Sequence, residues 1–208
     1  LKIVATSDTH THHEKLTIPE CDILIHAGDM SFRGDSKELS SFFEWFGDQT
    51  QARHRICIAG NHDSMFEYNL SMAQSLVPNN VHYLQDSQVN IDGLLIYGSP
   101  WVSLYGNWSF MLPRGGTKLK QKWANIPENT DVLITHGPPK AVLDKAHGDT
   151  LGCAHLLHRV HQIKPKVHIF GHIHEGYGQT IRNGTHFVNA AFCDINYEKF
   201  RNPITIKI

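Results

Sequence analysis

VHIFGHIH, residues 167 to 174, is the segment around which the chain is arranged. Val167, Ile169 and Phe170 read as a buried strand, Gly171 ends it, and two histidines one residue apart leave its C-terminal end. Extended backbone sends residues i and i+2 to the same side, so His172 and His174 can both point into one site. A doubled imidazole on a strand end is a metal-binding pattern. The competing reading is one histidine bonded to backbone and the other in water. The metal reading gains weight because acids, histidines and an asparagine follow four earlier strands in the same way.

Those strands come in order. Lys2 to Thr6 is a β-branched run followed by Ser7-Asp8-Thr9-His10, an acid and an imidazole two apart. Asp22 to Ala27 is a second strand, ended by Gly28-Asp29; a carboxylate there has two oxygens and can bridge two cations. Arg53 to Ala59 is a third, broken by Gly60-Asn61-His62-Asp63, in which asparagine offers a neutral oxygen and His62 stands beside it. Asp131 to Thr135 leads to His136-Gly137-Pro138-Pro139, a stiff exit that holds one side chain in place. Ligands of α/β proteins gather outside the carboxyl ends of strands. The shared site is therefore Asp8, His10, Asp29, Asn61, His136, His172 and His174. Two carboxylates, a neutral oxygen and four imidazoles make a two-cation site that polarises phosphate and generates hydroxide near neutral pH.

Between the strands, Asp35 to Gln49 reads as a helix with a capping box of Asp35 and Glu38, and Leu39, Phe42, Phe43 and Phe46 on its core face. Ser64 to Glu67 reads as a second capping box, with Phe66, Leu70 and Ala73 on one face. Val81 to Leu84, Val89 to Ile91 and Leu94 to Tyr97 are short strands, the last two joined at Asp92-Gly93. Gly98 to Gly116 has no long periodicity and concentrates Trp101, Tyr105, Trp108 and Phe110, as substrate wall or local hydrophobic cluster. Arg114 is its one cation and a candidate phosphate contact. Thr117 to Ala124 and Thr150 to Gln162 are helices. Gly176 to Arg182 and His186 to Ala191 form a hairpin about Asn183-Gly184, and Ile204 to Ile208 is a last strand. His26 reads as a satisfied histidine inside the sheet. His12 and His13 lie in a polar loop, where the readings are a histidine bordering the pocket and, favoured for at least one of them, simple exposure. Asp144, Lys145, His147 and Asp149 read as solvated surface.

Composition narrows the class. The 208 residues, 40% hydrophobic and 19% charged, suit one domain over residues 1–208. A net charge of -1 without a lysine or arginine cluster argues against an extended nucleic-acid surface but leaves room for small phosphorylated ligands. The four cysteines show neither knuckle spacing nor disulfide density. No run is long enough to span a membrane, and the expected location is cytoplasmic. The chain starts at Leu1 without a methionine, which leaves room for a processed segment ahead of it.

The series Asp-x-His, Gly-Asp, Gly-Asn-His-Asp, Thr-His-Gly and Gly-His-x-His, from Asp8 to His174, resembles the calcineurin-like metallophosphoesterase superfamily. SDTH, DILIHAGD, GNHD, GSPW, THGPP, Leu151-Gly152-Cys153 and KPKVHIFGHIHEGYG resemble its small brain-type metallophosphodiesterase subfamily more closely. The resemblance implies an α/β fold, a four-layer α-β-β-α sandwich of two facing mixed sheets flanked by helices. It implies Asp8, His10 and His174 on one divalent transition metal, Asn61, His136 and His172 on the other, and Asp29 shared. Mn, Fe, Zn, Co and Ni all suit that set, Mn being the metal expected in assays. His62 would sit beside the leaving group, and Asp29 and His62 would carry the catalysis of a phosphodiesterase whose metal-bridging hydroxide attacks a small phosphodiester, cyclic nucleotides among them. His62, His13, Trp101 and Arg114 are the candidate substrate contacts. The alternatives are a noncatalytic scaffold or interaction module, a phosphomonoesterase, and a hydrolase of another ester. The subfamily usually has glycine where this chain has Thr11, a departure expected to narrow or re-aim the entrance. The oligomeric state is left open.

Overall fold

Alternation along Lys2–Thr6 sends Ile3 and Ala5 to one face of a sheet and Val4 to the other, and the same division runs through the neighbouring strands. The computed structural model describes all residues from Leu1 to Ile208. Its strands are β1 (Lys2–Thr6), β2 (Cys21–His26), β3 (Ala52–Cys57), β4 (Val81–Tyr83), β5 (Ser87–Ile91), β6 (Leu94–Ser99), β7 (Val102–Ser103) and β8 (Met111–Leu112). They continue with β9 (Val132–Thr135), β10 (Lys145–Ala146), β11 (Asp149–Thr150), β12 (Val167–Phe170), β13 (Gly178–Arg182), β14 (Thr185–Asn189) and β15 (Ile204–Lys207). The helices are α1 (Ser36–Gly47), α2 (Met65–Tyr68), α3 (Leu70–Ser75), α4 (Thr117–Ala124) and α5 (Ala154–Ile163).

One sheet has the order β15-β1-β2-β3-β4, the other β13-β14-β12-β9-β6-β5. In the first, β1 to β4 are parallel, with Ile3 opposite Ile23 and Ile25 opposite Ile56. In the second, β6, β9, β12 and β14 are parallel and the two edge strands antiparallel. Ile3, Ile23, Ile25 and Ile56 meet Ile96, Ile134, Val167 and Ile169 in a dry layer between the sheets. On the outer face of the first sheet, Val4, Leu24 and Cys57 are covered by Leu39, Phe42, Phe43 and Phe46 of α1. On the outer face of the second, Leu133, Phe170 and Phe187 are covered by Leu119 and Trp123 of α4 and Leu156 and Val160 of α5. These are the four layers expected, α-β-β-α. The parallel direction brings the carboxyl ends of β1, β2, β3, β9 and β12 to one end of the sandwich.

Several local expectations change. Asp35 caps α1 by accepting from the Glu38 N–H at 3.0 Å, but Glu38 reaches back to the N–H groups of Phe32 and Arg33, not to Asp35. Ser64 has helical φ and caps nothing with its side chain; Glu67 instead accepts from the Phe110 N–H at 2.7 Å. The helical segment breaks at Asn69, which caps α3 through Met72, so Leu70 turns outward to 36% exposure. Thr150 belongs to the β10-β11 hairpin and Cys153 precedes α5. Asp144 is not solvated surface. It is buried, and its carboxylate accepts from the N–H groups of Ala141 and Gly152 at 2.8 and 2.9 Å. No helix is long and apolar enough to cross a membrane.

His26 and His168 are buried inside the sheets, each with its Nε2 on a threonine hydroxyl, Thr9 and Thr135 respectively. Burial pushes both imidazoles down to about 3 from their ordinary 6.5. The unfolded chain therefore binds more protons than the folded one between these values. The stability these two rings contribute is complete above pH 6.5 and is lost as the pH falls through the window, by up to about 1.4 kcal/mol per pH unit for each ring. Urea unfolding of chelator-treated protein between pH 7 and 4 is expected to show that slope, and His168→Gln to reduce it; an unchanged slope in the variant would exclude His168 as a source.

Candidate metal centre

The residues at the strand ends are held by unusual backbone. Asp8, His10, Thr11, Asp29 and His172 all have positive φ, between 41° and 69°, a region that L-residues enter at a cost. Each turn is fixed by bonds between strand ends: the Asp8 N–H donates to Gly28 O at 2.9 Å, the His10 N–H to Asp29 O at 3.1 Å, and the His172 N–H to the Asp8 carboxylate at 2.9 Å. Thr11 takes φ 69° without a cis bond or a break in the chain, its N–H on Met30 O at 3.2 Å. A β-branched residue therefore occupies a conformation that suits glycine.

Side chains from both sheets converge on one another. On one side lie Asp8, His10 and His174: Asp8 Oδ1 is 3.5 Å from His174 Nε2 and 4.0 Å from His10 Nε2. On the other lie Asn61, His136 and His172, with His136 Nε2 at 3.0 Å from Asn61 Oδ1 and the two imidazole rings 5.0 Å apart. Asp29 stands between: one oxygen, Oδ2, is 3.8 Å from His10 Nε2 and 3.3 Å from His136 Nε2, and the other accepts the His62 N–H at 2.8 Å.

This donor set fits cations. The Nδ1–H of His136 donates to Ala27 O at 2.9 Å and that of His174 to Asp194 O at 3.0 Å, so the Nε2 lone pairs of both rings face inward. There they meet other lone pairs, on Asn61 Oδ1 and on the carboxylates of Asp29 and Asp8. Such a contact is favourable only when a proton or a metal ion sits between the atoms. Burial opposes the ionisation of Asp29, yet His136 and His62 hold its carboxyl well below the usual range. Burial likewise opposes charge on His136, and Asp29 overrides it to raise the imidazole to about 9. The cluster attracts positive charge, and Asp8, His10, His174, Asn61, His136, His172 and Asp29 are the residues that would hold divalent metal.

A match to the calcineurin-like phosphoesterase family covers residues 1–176. The chain belongs to that family. It is 40% identical to human and mouse Metallophosphoesterase domain-containing protein 1, over 100% of this chain and 71% of theirs. In fold it is similar to the phosphopantetheinyl hydrolase of Mycobacterium tuberculosis, with a TM-score of 0.66 and 13% identity over 98% of this chain and 95% of that one. Members of the family are metal-dependent phosphoester hydrolases.

Other residues of this phosphoesterase build the centre without entering it. The Asp63 carboxylate gathers the N–H groups of Gly60, Ser31 and Met30 and the Ser31 hydroxyl, tying the Asn61 turn to the Asp29 turn. Burial, and then the charge on Asp29, raises its pKa to about 6. Gly60 and Gly171 leave the space the carboxylates use: a Cβ at Gly60 would collide with Asp29, and one at Gly171 with Ser7 and Asp8. Tyr197, a residue that strand patterning passes over, sets its ring against His10 at 5.0 Å and His174 at 5.6 Å. It follows β14 past its carboxyl end, and that position was the one clue to it.

The candidate substrate contacts divide. His62 lies beside the centre, its Nδ1–H donating to Phe32 O at 2.7 Å and its ring stacked on Trp108 at 4.2 Å. Trp101 and Arg114 line a cavity of about 360 Å³ that opens onto His10, Asp29, His172 and His174. His13 is not brought to it. Its ring is buried against Phe42 and Trp45 and bonded to Ser41, because the turn Thr11 to Lys15 folds onto α1. Of the aromatic loop, Phe110 is core, whereas Tyr105 and Trp108 remain exposed at the site and Tyr105 accepts from the Asn61 amide at 3.5 Å.

Asp29→Ala is expected to lower the metal content of manganese-saturated protein from two equivalents to one weakly held ion or none, as measured by elemental analysis after gel filtration. Asn61→Ala should chiefly cost the ion on the His136 side. Two equivalents retained in Asp29→Ala would show that the carboxylate is not shared.

Proposed function

We propose that this phosphoesterase is a two-cation phosphodiesterase acting on small phosphodiesters, cyclic nucleotides among them. The observation that carries the reading is the single Asp29 oxygen facing both His10 and His136, with a complete donor set on either side of it. When bound, two divalent cations supply charge neutralisation at the phosphoryl oxygens and a water-derived nucleophile at neutral pH. The chain's own groups do the rest. Two carboxylates and otherwise neutral ligands leave the pair of cations with a net positive charge, suited to the single negative charge of a diester. A monoester carries more negative charge and binds tightly, but tight ground-state binding does not speed cleavage.

His62 supplies what the cations do not. Its Nδ1–H is committed to Phe32 O, so Nε2 is the nitrogen left to face a departing oxygen. Trp108 on its face and His10 edge-on at 4.7 Å fix the ring plane. As the imidazolium, whose second proton is on Nε2, His62 is thus placed to donate that proton to the alkoxide as it leaves, becoming neutral with Nδ1–H still on Phe32 O. It also lies within ligand reach of His10 and Asp29, which makes metal content the measurement that separates the two roles.

His62→Gln is expected to keep both metals and the wild-type melting temperature while losing about 10²- to 10⁴-fold in kcat on a diester with an alkoxide leaving group. The loss should be small for nitrophenolate, which departs without a proton. Metal loss would make His62 a ligand, and unchanged kcat on the poor leaving group would move the chain toward a binding scaffold. Across matched leaving groups, diesters are expected to exceed monoesters in kcat/KM.

A further inference from the structure

The cavity beside the centre is larger than the chemistry of phosphate requires, and its far wall is made of hydrocarbon. Trp123 of α4, Leu156 of α5, Leu151, Cys153, Trp101 and Ile173 line it. The polar atoms of both indoles are already used: the Trp123 Nε1–H lies on Cys153 Sγ at 3.3 Å and the Trp101 Nε1–H donates to Asp86 at 2.8 Å. What these rings turn to the cavity is therefore carbon. The remaining wall is the loop between β9 and α5, which carries Ala146 and Leu151 to the cavity. That loop is closed at its base by bonds between Pro138, Lys140 and Cys153 and pinned inside by Asp144. The lobe is a built recess, not a gap beneath a loose segment. Its inner polar side chains are Ser103, whose hydroxyl has no partner, and Arg114, which reaches Gly152 O at 3.4 Å; His147 and Glu175 face each other at 3.7 Å on its exposed rim.

His62 lines the same cavity, but it and its neighbours Phe32 and Trp108 come from the exits of the first sheet and the loop between β7 and β8, whereas the hydrocarbon wall is built by α4, α5 and the loop that precedes α5. If the leaving oxygen faces His62, the lobe is left for the other ester group. We infer that this lobe receives the retained ester group of the substrate and selects phosphodiesters in which that group is an uncharged alkyl or aryl hydrocarbon. This rests on the phosphodiesterase reading. A ribose or deoxyribose would lose its hydroxyls' water inside the lobe with only Ser103 and Arg114 to replace it, because His147 and Glu175 stand at the solvent-exposed rim. Each buried methylene, in contrast, strengthens binding by about three- to fourfold.

The test is a set of p-nitrophenyl phosphodiesters, with the leaving group constant and the second ester group methyl, butyl, hexyl, phenyl or 5′-thymidyl, given to the manganese-loaded full chain. The expected result is kcat/KM rising from methyl to hexyl and at least tenfold higher for phenyl than for thymidyl. Ala146→Phe, which fills the lobe, and Leu151→Asp, which makes it polar, should each flatten the series. A flat wild-type series, thymidyl as the best substrate, or a slope retained in both variants would overturn the inference. Should no diester be cleaved, the phosphodiesterase reading fails by itself, and calorimetry with methylphosphonate and hexylphosphonate reads the lobe directly. Tighter binding of hexylphosphonate that is lost in Ala146→Phe supports it; equal affinities overturn it.

Discussion

One carboxylate oxygen, Asp29 Oδ2, faces imidazole nitrogens from both halves of the sandwich, and much of the surrounding structure holds it there. Its partner oxygen is occupied by the His62 N–H, its backbone carbonyl receives the His10 N–H, and its neighbour Gly28 receives the Asp8 N–H. The turn that carries it is tied by Asp63 to the turn that carries Asn61. A buried anion with so many fixed neighbours cannot move to meet a ligand, so the donors must be correctly placed beforehand. This preorganisation is the condition for tight cation binding and for electrostatic stabilisation of a phosphoryl transition state.

The two-sheet arrangement follows from the same requirement. Parallel strands bring their carboxyl ends and the side chains that follow to one end, and two mixed sheets with parallel central strands, packed through Ile3, Ile25, Ile134 and Ile169, set those ends side by side. The left-handed backbone of Asp8, His10, Asp29 and His172 then turns each chain sharply enough to aim the side chain across the gap. Such strain persists only because the cores on both sides leave the turns no alternative. Gly60 and Gly171 show how little space remains, since a single methyl at either would occupy the position of a carboxylate.

Much of this was legible in the residues themselves. Strand alternation marked the faces of β1, β2, β3, β9 and β12, and their exits named the seven convergent side chains because period-2 geometry leaves few directions for a residue just past a strand. What escaped was whatever depends on distant partners. Asp144 sits among polar residues in the chain and is buried only because a loop closes over it. His13 sits beside His10 in the chain but packs on α1, since the intervening turn reverses direction. Tyr197 follows an irregular segment with no period to place it. Glu67 has capping-box spacing, yet the nearer demand, the unpaired N–H of Phe110, takes its carboxylate. Local pattern predicts the elements well and side-chain partners across the fold poorly.

The measurement that tests the account most directly is an anomalous-scattering difference map from crystals saturated with manganese. Two peaks are expected, one among Asp8, His10 and His174 and one among Asn61, His136 and His172, both in contact with Asp29. A single peak under saturation, or a second peak that does not touch Asp29, would contradict it.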